Sequence, residues 1–286
     1  MSDDHAHNSL PRQQQQPPGL TSAMKPVPDH GEASYIGSAK LSGKVAIITG
    51  GDSGIGRAVA IAFAREGADI LLSYLNEEED AQSTAEVVRS AGQKVVLAPG
   101  DITDEQHCKD LVDRAIAELG RLDILVNNAA FQRVHKSIDE IGADEWDTTM
   151  RTNIYAPFFL AKAAVNHLPP GSSIINTTSV QSRDPSGGLL AYATTKGALS
   201  NFTAGLAQML ASKGIRVNAV APGPIWTPLI PSTMPREKVE KFGTDTPLGR
   251  VGQPAELAAA YVLLASDGAS YITGAVLPVT GGEIMI

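Results

Sequence analysis

The sequence predicts an α/β protein built on one doubly wound parallel sheet. Short β-branched runs alternate with helix-length segments from Leu41 onward. Most of those runs are continuously apolar rather than alternating, as expected of strands covered by helices on both faces. Several helical segments end in glycine just past the last turn, at Gly67, Gly92, Gly120 and Gly214, the usual left-handed stop. Repeated strand–helix units with right-handed crossovers give a Rossmann fold of about seven strands.

The strands are read at 45–49, 69–74, 94–98, 124–126, 173–176, 216–220 and 276–279, and the helices at 56–66, 80–91, 105–119, 144–167, 193–213 and 254–266. A stretch rich in proline and glycine, 225–250, reads as a substrate loop. Residues 41–286 form a single catalytic domain in this reading. Residues 1–40 differ in kind, with Gln13-Gln14-Gln15-Gln16, five prolines and few aliphatic side chains. Such a segment cannot fold alone. It is either disordered or extended along the body or a neighbouring subunit, and the sequence does not choose between these. The histidines His5, His7 and His30 are scattered through it and are expected to be solvated, with no metal site.

A net charge of −8 without any lysine or arginine run argues against a nucleic-acid partner. No apolar stretch approaches the roughly 18 residues that cross a bilayer, and the polar N-terminus carries no apolar core of a signal peptide. The single cysteine, Cys108, fits a reducing compartment and a packing role in a helix. These points place the protein in the cytoplasm.

Two motifs carry chemistry. Thr49-Gly50-Gly51-Asp52-Ser53-Gly54-Ile55-Gly56 follows the apolar run Val45–Ile48 directly. Gly50 permits a tight turn, Gly54 lets backbone approach a pyrophosphate, and Gly56 lets helix and sheet pack closely. Backbone N–H groups at the helix start then face the phosphates. The spacing Gly-x-x-x-Gly-x-Gly differs from the commoner G-x-G-x-x-G. At the end of the second strand stands Ser73-Tyr74-Leu75-Asn76, with neither an acid nor a base to read the adenosine ribose. Glu77-Glu78-Glu79 follows and reads as a solvated helix start, so NAD versus NADP stays open. Asp101, beside Ile102, suits either the adenine amino group or a cap on the following turn. Asn127-Asn128-Ala129-Ala130 supplies small residues near the cofactor and amides able to tie strands together.

The second motif is Tyr192-Ala193-Thr194-Thr195-Lys196, preceded by Ser179 at a strand end. Tyr192 and Lys196 share one helical face. A phenol of pKa near 10 is a poor base at neutral pH, and a nearby ammonium lowers it. Ser179 is placed to hold a substrate oxygen, and Asn153 sits mid-helix, where its amide is intrinsically unfavourable.

With these residues in order, the chain from about Leu41 to Gly282 resembles the short-chain dehydrogenase/reductase family. The signatures are Thr49-Gly50…Gly54-Ile55-Gly56, Asn127-Asn128-Ala129, Asn153, Ser179, Tyr192…Lys196 and Pro222-Gly223. The resemblance implies a tetrad with Tyr192 as acid/base. Lys196 binds the nicotinamide ribose and lowers the tyrosine pKa, Ser179 orients the carbonyl, and Asn153 positions a water linking Lys196 to solvent. Pro222, Gly223, Ile225 and Thr227 match the segment near the carboxamide and phosphates. The implied cofactor contacts are therefore Gly50, Asp52, Ser53, Gly54, Ile55, Gly56, Tyr74, Asp101, Ile102, Asn128 and Ala129. Tyr192, Lys196, Pro222, Gly223, Ile225 and Thr227 complete the set. Ala130 departs from the family's usual glycine. The Gly50–Gly56 turn, Ser73–Glu78 and Val220–Pro231 also resemble bacterial members grouped with glucose and ribitol dehydrogenases.

The reading is an NAD- or NADP-dependent oxidoreductase acting on a small alcohol or carbonyl: a sugar, polyol, aldehyde or ketone. A non-catalytic dinucleotide sensor or scaffold is the alternative, and the intact Ser179, Tyr192 and Lys196 count against it. Apolar residues on more than one face of the helices carrying Phe158, Phe159, Leu199, Phe202, Leu206 and Met209 point to a homo-oligomer, and the resemblance implies that it is a homotetramer.

Overall fold

The computed structural model describes residues 9–285. In chain order the elements are β1 (Val45–Thr49), α1 (Gly54–Arg65), β2 (Asp69–Tyr74), α2 (Glu78–Ser90), β3 (Val95–Pro99) and α3 (Glu105–Leu119). Next come β4 (Ile124–Asn127), α4 (Ala143–Met150), α5 (Ala156–Ala164), β5 (Ser173–Thr177) and α6 (Leu190–Leu210). The chain closes with β6 (Arg216–Pro222), α7 (Leu229–Thr233), α8 (Arg236–Glu240), α9 (Ala255–Ala265) and β7 (Val276–Val279). The sheet has seven strands in the order β3-β2-β1-β4-β5-β6-β7, and its pairings are parallel, with Ile47 opposite both Leu71 and Leu125. The expected fold class is what the structure has.

Side-chain alternation along β1 and β2 divides the core into two layers. Ile48, Ile70 and Leu72 pack with Val59 and Phe63 of α1 and Leu257 and Tyr261 of α9. Ile47 and Leu71 point the other way, onto Leu111 of α3, Leu160 of α5 and Leu210 of α6. Period-two burial on both faces is why these strands read as unbroken apolar runs. Gly67, Gly92, Gly120 and Gly214 all have positive φ, so each is the left-handed stop its position suggests. No described helix is long and apolar enough to cross a membrane.

The structure corrects one expected helix. The segment read as continuous over 144–167 is α4 and α5 joined by a π-turn, Arg151–Tyr155, closed by a bond from Ala156 N to Arg151 O. Pro157 is the cause, because it has no N–H to give the carbonyl one turn back, at Asn153. The 225–250 stretch, read as a loop, folds α7 and α8 over buried Trp226 and Val239.

Residues 9–40 run across this surface. Leu10 and Met24 are buried with Trp226, Ile230 and Met234 in a third apolar cluster. Trp226 Nε1 donates to Pro26 O at 2.8 Å, Gln15 N to Pro231 O at 2.8 Å, and Thr21 N to Asp80 Oδ2 at 2.8 Å. Further along, Arg65 Nη1 donates to Gly31 O at 2.9 Å and Tyr35 Oη to Glu66 Oε1 at 2.6 Å. A segment with too few apolar groups for its own core uses those of the body instead. His30 was expected in solvent, yet it is only 2% exposed, with Nδ1 3.2 Å from Glu32. His5 and His7 lie outside the described residues.

Candidate active site

The order of strands reverses between β1 and β4, and a cleft opens there beyond the strands' carboxyl ends, as the topology requires. Its volume is about 910 Å³, and it runs from Asp52, Tyr74 and Asp101 to Ser179 and Tyr192. The glycine-rich turn forms its floor. Gly50 and Gly54 have φ of +60° and +51°, a conformation that disfavours any side chain. A Cβ on Gly56 would stand 1.9 Å from Gly50 O, and one on Gly50 would stand 3.1 Å from Ala129 Cα. Bare backbone at the start of α1 therefore faces an elongated cleft. This is the shape and chemistry that a dinucleotide pyrophosphate requires, and the residues fit such a cofactor.

Asn128 holds that turn. Its Nδ2 donates to Thr49 O at 3.1 Å and Gly50 O at 3.2 Å, while Thr49 Oγ1 accepts from the backbone of Asn128 and Ala129. Asn127 Nδ2 donates to Asn176 Oδ1 at 2.8 Å, tying β4 to β5. Ser53, Ile55, Ile102, Ala129, Pro222, Gly223, Ile225 and Thr227 all line the cleft. Gly51 and Gly56 pack behind it, a Cβ on Gly51 coming within 2.9 Å of Leu72. Asp101 caps the next turn, its Oδ1 accepting from Thr103 N at 2.9 Å, while still lining the cleft.

One expectation fails at this end. Glu78 and Glu79 are exposed, but Glu77 is 7% exposed and lines the cleft. Its carboxylate turns back to accept Asn76 N at 2.9 Å, which draws it under the loop and away from solvent. Pro17 and Pro18 of the N-terminal segment also line the cleft. No sequence signal marked them, because the contact spans most of the domain in chain distance.

At the other end of the cleft Ser179 follows β5, Tyr192 and Lys196 lie one turn apart on α6, and all three line it. Lys196 Nζ donates to Thr177 O at 2.7 Å and stands 5.3 Å from the Tyr192 ring centroid. Burial pulls the Lys196 ammonium down to about 7. Burial likewise pushes the Tyr192 phenol up to about 12, opposed by a hydrogen bond with Ser179. The ammonium stands over the ring, and burial, not that cation, sets the direction of the phenol's shift. Asn153 is 1% exposed. Its Oδ1 accepts Phe131 N at 2.8 Å, and its Nδ2 donates to Phe131 O at 2.9 Å and Thr195 Oγ1 at 3.0 Å. The π-turn places it there, linking the β4 loop to α6 beside Lys196. Thr177, Thr195 and Phe131 thus support the site, although only spatial proximity reveals them. Beyond Ser179 the cleft continues between Leu189 and Met234, where Gln132 Nε2 donates to Thr233 Oγ1 at 2.9 Å.

A family model described as "Enoyl-(Acyl carrier protein) reductase" matches residues 50–283. The uncharacterized oxidoreductase YhdF of Bacillus subtilis is 52% identical over 99% of this chain and 98% of its own length. A glucose and ribitol dehydrogenase of Daucus carota is 45% identical over 96% of this chain and 97% of its own. A short chain dehydrogenase from Burkholderia cenocepacia J2315 in complex with NADP superposes with a TM-score of 0.80 at 33% identity. That match covers 85% of this chain and 98% of the other. The chain belongs to the short-chain dehydrogenase/reductase family, a family of oxidoreductases.

Proposed function

We propose that the protein is an NAD- or NADP-dependent dehydrogenase/reductase interconverting a small alcohol and its carbonyl, with Tyr192 as acid/base. The observation that carries this is the meeting of a bare glycine turn with Ser179, Tyr192 and Lys196 in one cleft. Asp52 to Gly56, Asn128, Ala129 and Pro222 to Thr227 would hold the cofactor, which supplies or accepts the hydride when bound. Ser179 donates a hydrogen bond to the carbonyl oxygen. Tyr192, held at about 12 in the open cleft, keeps its proton at neutral pH and can donate it to that oxygen. In the oxidising direction it must accept a proton, and Lys196 is the cation within reach to stabilise the phenolate. Asn153 holds the Phe131 loop against α6 and so steadies Lys196.

Leu189 and Met234 beside Gln132 and Thr233 suit a small substrate with both an apolar and a hydroxylated part. The carrot relative, named for glucose and ribitol, supports the sugar and polyol branch of that class. The test is a screen of aldehydes, ketones, sugars and polyols at the nicotinamide absorbance with both cofactors. Nucleotide binding without turnover of any member would favour a non-catalytic sensor.

Two further parts of the reading concern its setting. The single cysteine, buried at Cys108 with Sγ 3.2 Å from Ile102 O, supports a reducing cytoplasmic location. Tyr155, Phe158 and Met209 are 43%, 47% and 74% exposed on the π-turn before α5, on α5 and on α6. Leu199 instead packs inward, and Phe159, Phe202 and Leu206 join the core layer, leaving a narrower apolar stripe than the sequence suggests. Pairing that stripe between copies supports a homotetramer. Light scattering that finds a stable monomer at micromolar concentration would overturn it.

A further inference from the structure

The cleft's adenosine end is built from acids. Asp52 and Glu77 both line it and are 4% and 7% exposed, and Asp80, on the first turn of α2, is 5% exposed. They are close enough to interact: burial pushes the Asp52 carboxyl up to about 7, with Glu77 adding to the rise and Asp80 contributing further. Ser73 lines the same end, is 1% exposed, and its Oγ has no hydrogen-bond partner. This hydroxyl, within the cleft already assigned to a dinucleotide, marks the place where a ligand's polar group would bond.

The cations nearby are turned elsewhere. Among the described residues the only lysine or arginine lining the cleft is Lys196, at the opposite end. Arg57, on the first turn after the glycine motif, is 8% exposed. Its Nε donates to Glu32 Oε1 at 3.0 Å, and its Nη1 donates to Ser83 and Thr84, each at 3.1 Å. Arg114 of α3 is likewise engaged, its Nε donating to Glu118 at 2.8 Å and its Nη2 to Leu97 O at 3.2 Å. Tyr74 itself donates to Glu78 Oε2 at 2.5 Å, which adds another carboxylate beside the loop.

NAD and NADP differ by a phosphate on the adenosine ribose that carries between one and two negative charges near neutral pH. An acid at this place accepts a hydrogen bond from a free ribose hydroxyl, whereas a phosphate there requires a base. Like charges a few ångströms apart in a low-dielectric wall repel strongly. Resting on the dehydrogenase reading above, we propose that this chain selects NAD(H) over NADP(H). Asp52 and Glu77 are its specificity-determining carboxylates, and Glu32 of the N-terminal segment keeps Arg57 out of the site. The Burkholderia structure contains NADP, so family membership alone does not decide the matter.

Isothermal titration of the full-length protein with NAD+ and with NADP+ tests the proposal without a substrate. NAD+ is expected to bind at least about tenfold tighter; a smaller preference, or one for NADP+, overturns the inference and leaves the dehydrogenase reading intact. Failure of both nucleotides to bind removes that reading and the inference with it. The pair Asp52→Asn and Glu77→Gln should narrow the ratio of dissociation constants about tenfold, chiefly by tightening NADP+. Glu32→Gln, which alters no cleft-lining group, should narrow it in the same direction by releasing Arg57. A ratio that neither change narrows overturns the assignment to these residues. The wild-type ratio stands as a test even where a variant fails to fold.

Discussion

The two ends of the cleft are buried to a similar depth and charged in opposite senses. At the reacting end the buried ionisable groups are Lys196 and Tyr192, and burial pulls the ammonium down to about 7 while raising the phenol. At the adenosine end they are Asp52, Glu77 and Asp80, and burial together with mutual repulsion raises Asp52 to about 7. Low dielectric disfavours charge wherever it lies, so each end carries a group held near the point of neutralisation. The ends differ in what relieves that cost. Lys196 donates to a fixed carbonyl, Thr177 O, whereas Glu77 and Asp80 each accept one backbone N–H, from Asn76 and Thr21, and still raise Asp52, with the Ser73 hydroxyl of the same cleft end unpartnered. The reacting end is organised before any ligand arrives, and the adenosine end gains most from a neutral hydrogen-bonding ligand.

The largest test of that contrast is at the reacting end. Tyr192→Phe should lower turnover by at least about 10²-fold, the usual scale for loss of a general acid–base, while cofactor binding changes little. Near-wild-type turnover, measured under saturating cofactor, would show that the organised end is not the chemical one. Asn153→Ala comes next, since it removes three hydrogen bonds from a buried amide and orphans Phe131 N. It should cost about 2–3 kcal/mol by denaturant unfolding and reduce turnover as well. An unchanged midpoint would mean the π-turn has no positioning role.

At the acidic end the sign of a pH effect discriminates. Asp52 has a folded pKa raised to about 7 from an ordinary 3.8. Its contribution to stability is therefore fully present below pH 3.8 and is lost as pH rises through about 7. Asp52→Asn keeps the neutral form at every pH, so its thermal midpoint should exceed wild type by more at pH 8 than at pH 5. The difference is on the order of 2 kcal/mol, and equal gaps at the two pH values would show that Asp52 is not electrostatically stressed. The smallest effect expected is that of Trp226→Phe, which deletes the bond to Pro26 O while keeping most of the buried ring. About 1 kcal/mol and faster proteolysis within residues 9–40 should follow. Unaltered cleavage would show that this bond does not hold the N-terminal segment over the cleft.

Some of this molecule was legible in the chain because the controlling interactions are local. Val45–Thr49 and Asp69–Tyr74 announce themselves as strands, since burial on both faces demands an unbroken apolar run. Gly50, Gly54 and Gly56 are required by the backbone of one turn, and Tyr192 and Lys196 meet because α6 brings residues four apart together. Where control passed to distant partners, local reasoning gave a different answer or none. The helix expected over 144–167 breaks at Pro157, a local signal, but only the Phe131 loop supplies the partners that hold Asn153 in the π-turn. Glu77 sits in an acidic run that looks solvated, and it is buried because the loop above it closes on Asn76 and the cleft wall.

By itself, then, the chain determined the alternation of strands and helices behind the layered sheet, the glycine turn after β1, and the placing of Tyr192 and Lys196 on one face of α6. Each of these follows from backbone geometry or helical period over a few residues. Only the tertiary structure decided the path of residues 9–40, the engagement of Arg57 by Glu32, and the gathering of Asp52, Glu77 and Asp80 at one end of the cleft. Those contacts join groups about 25 residues apart in Arg57–Glu32 and 200 apart in Trp226–Pro26. Periodicity carries no information over such separations. They exist because a folded body offers burial and hydrogen bonds to whichever segment can reach it.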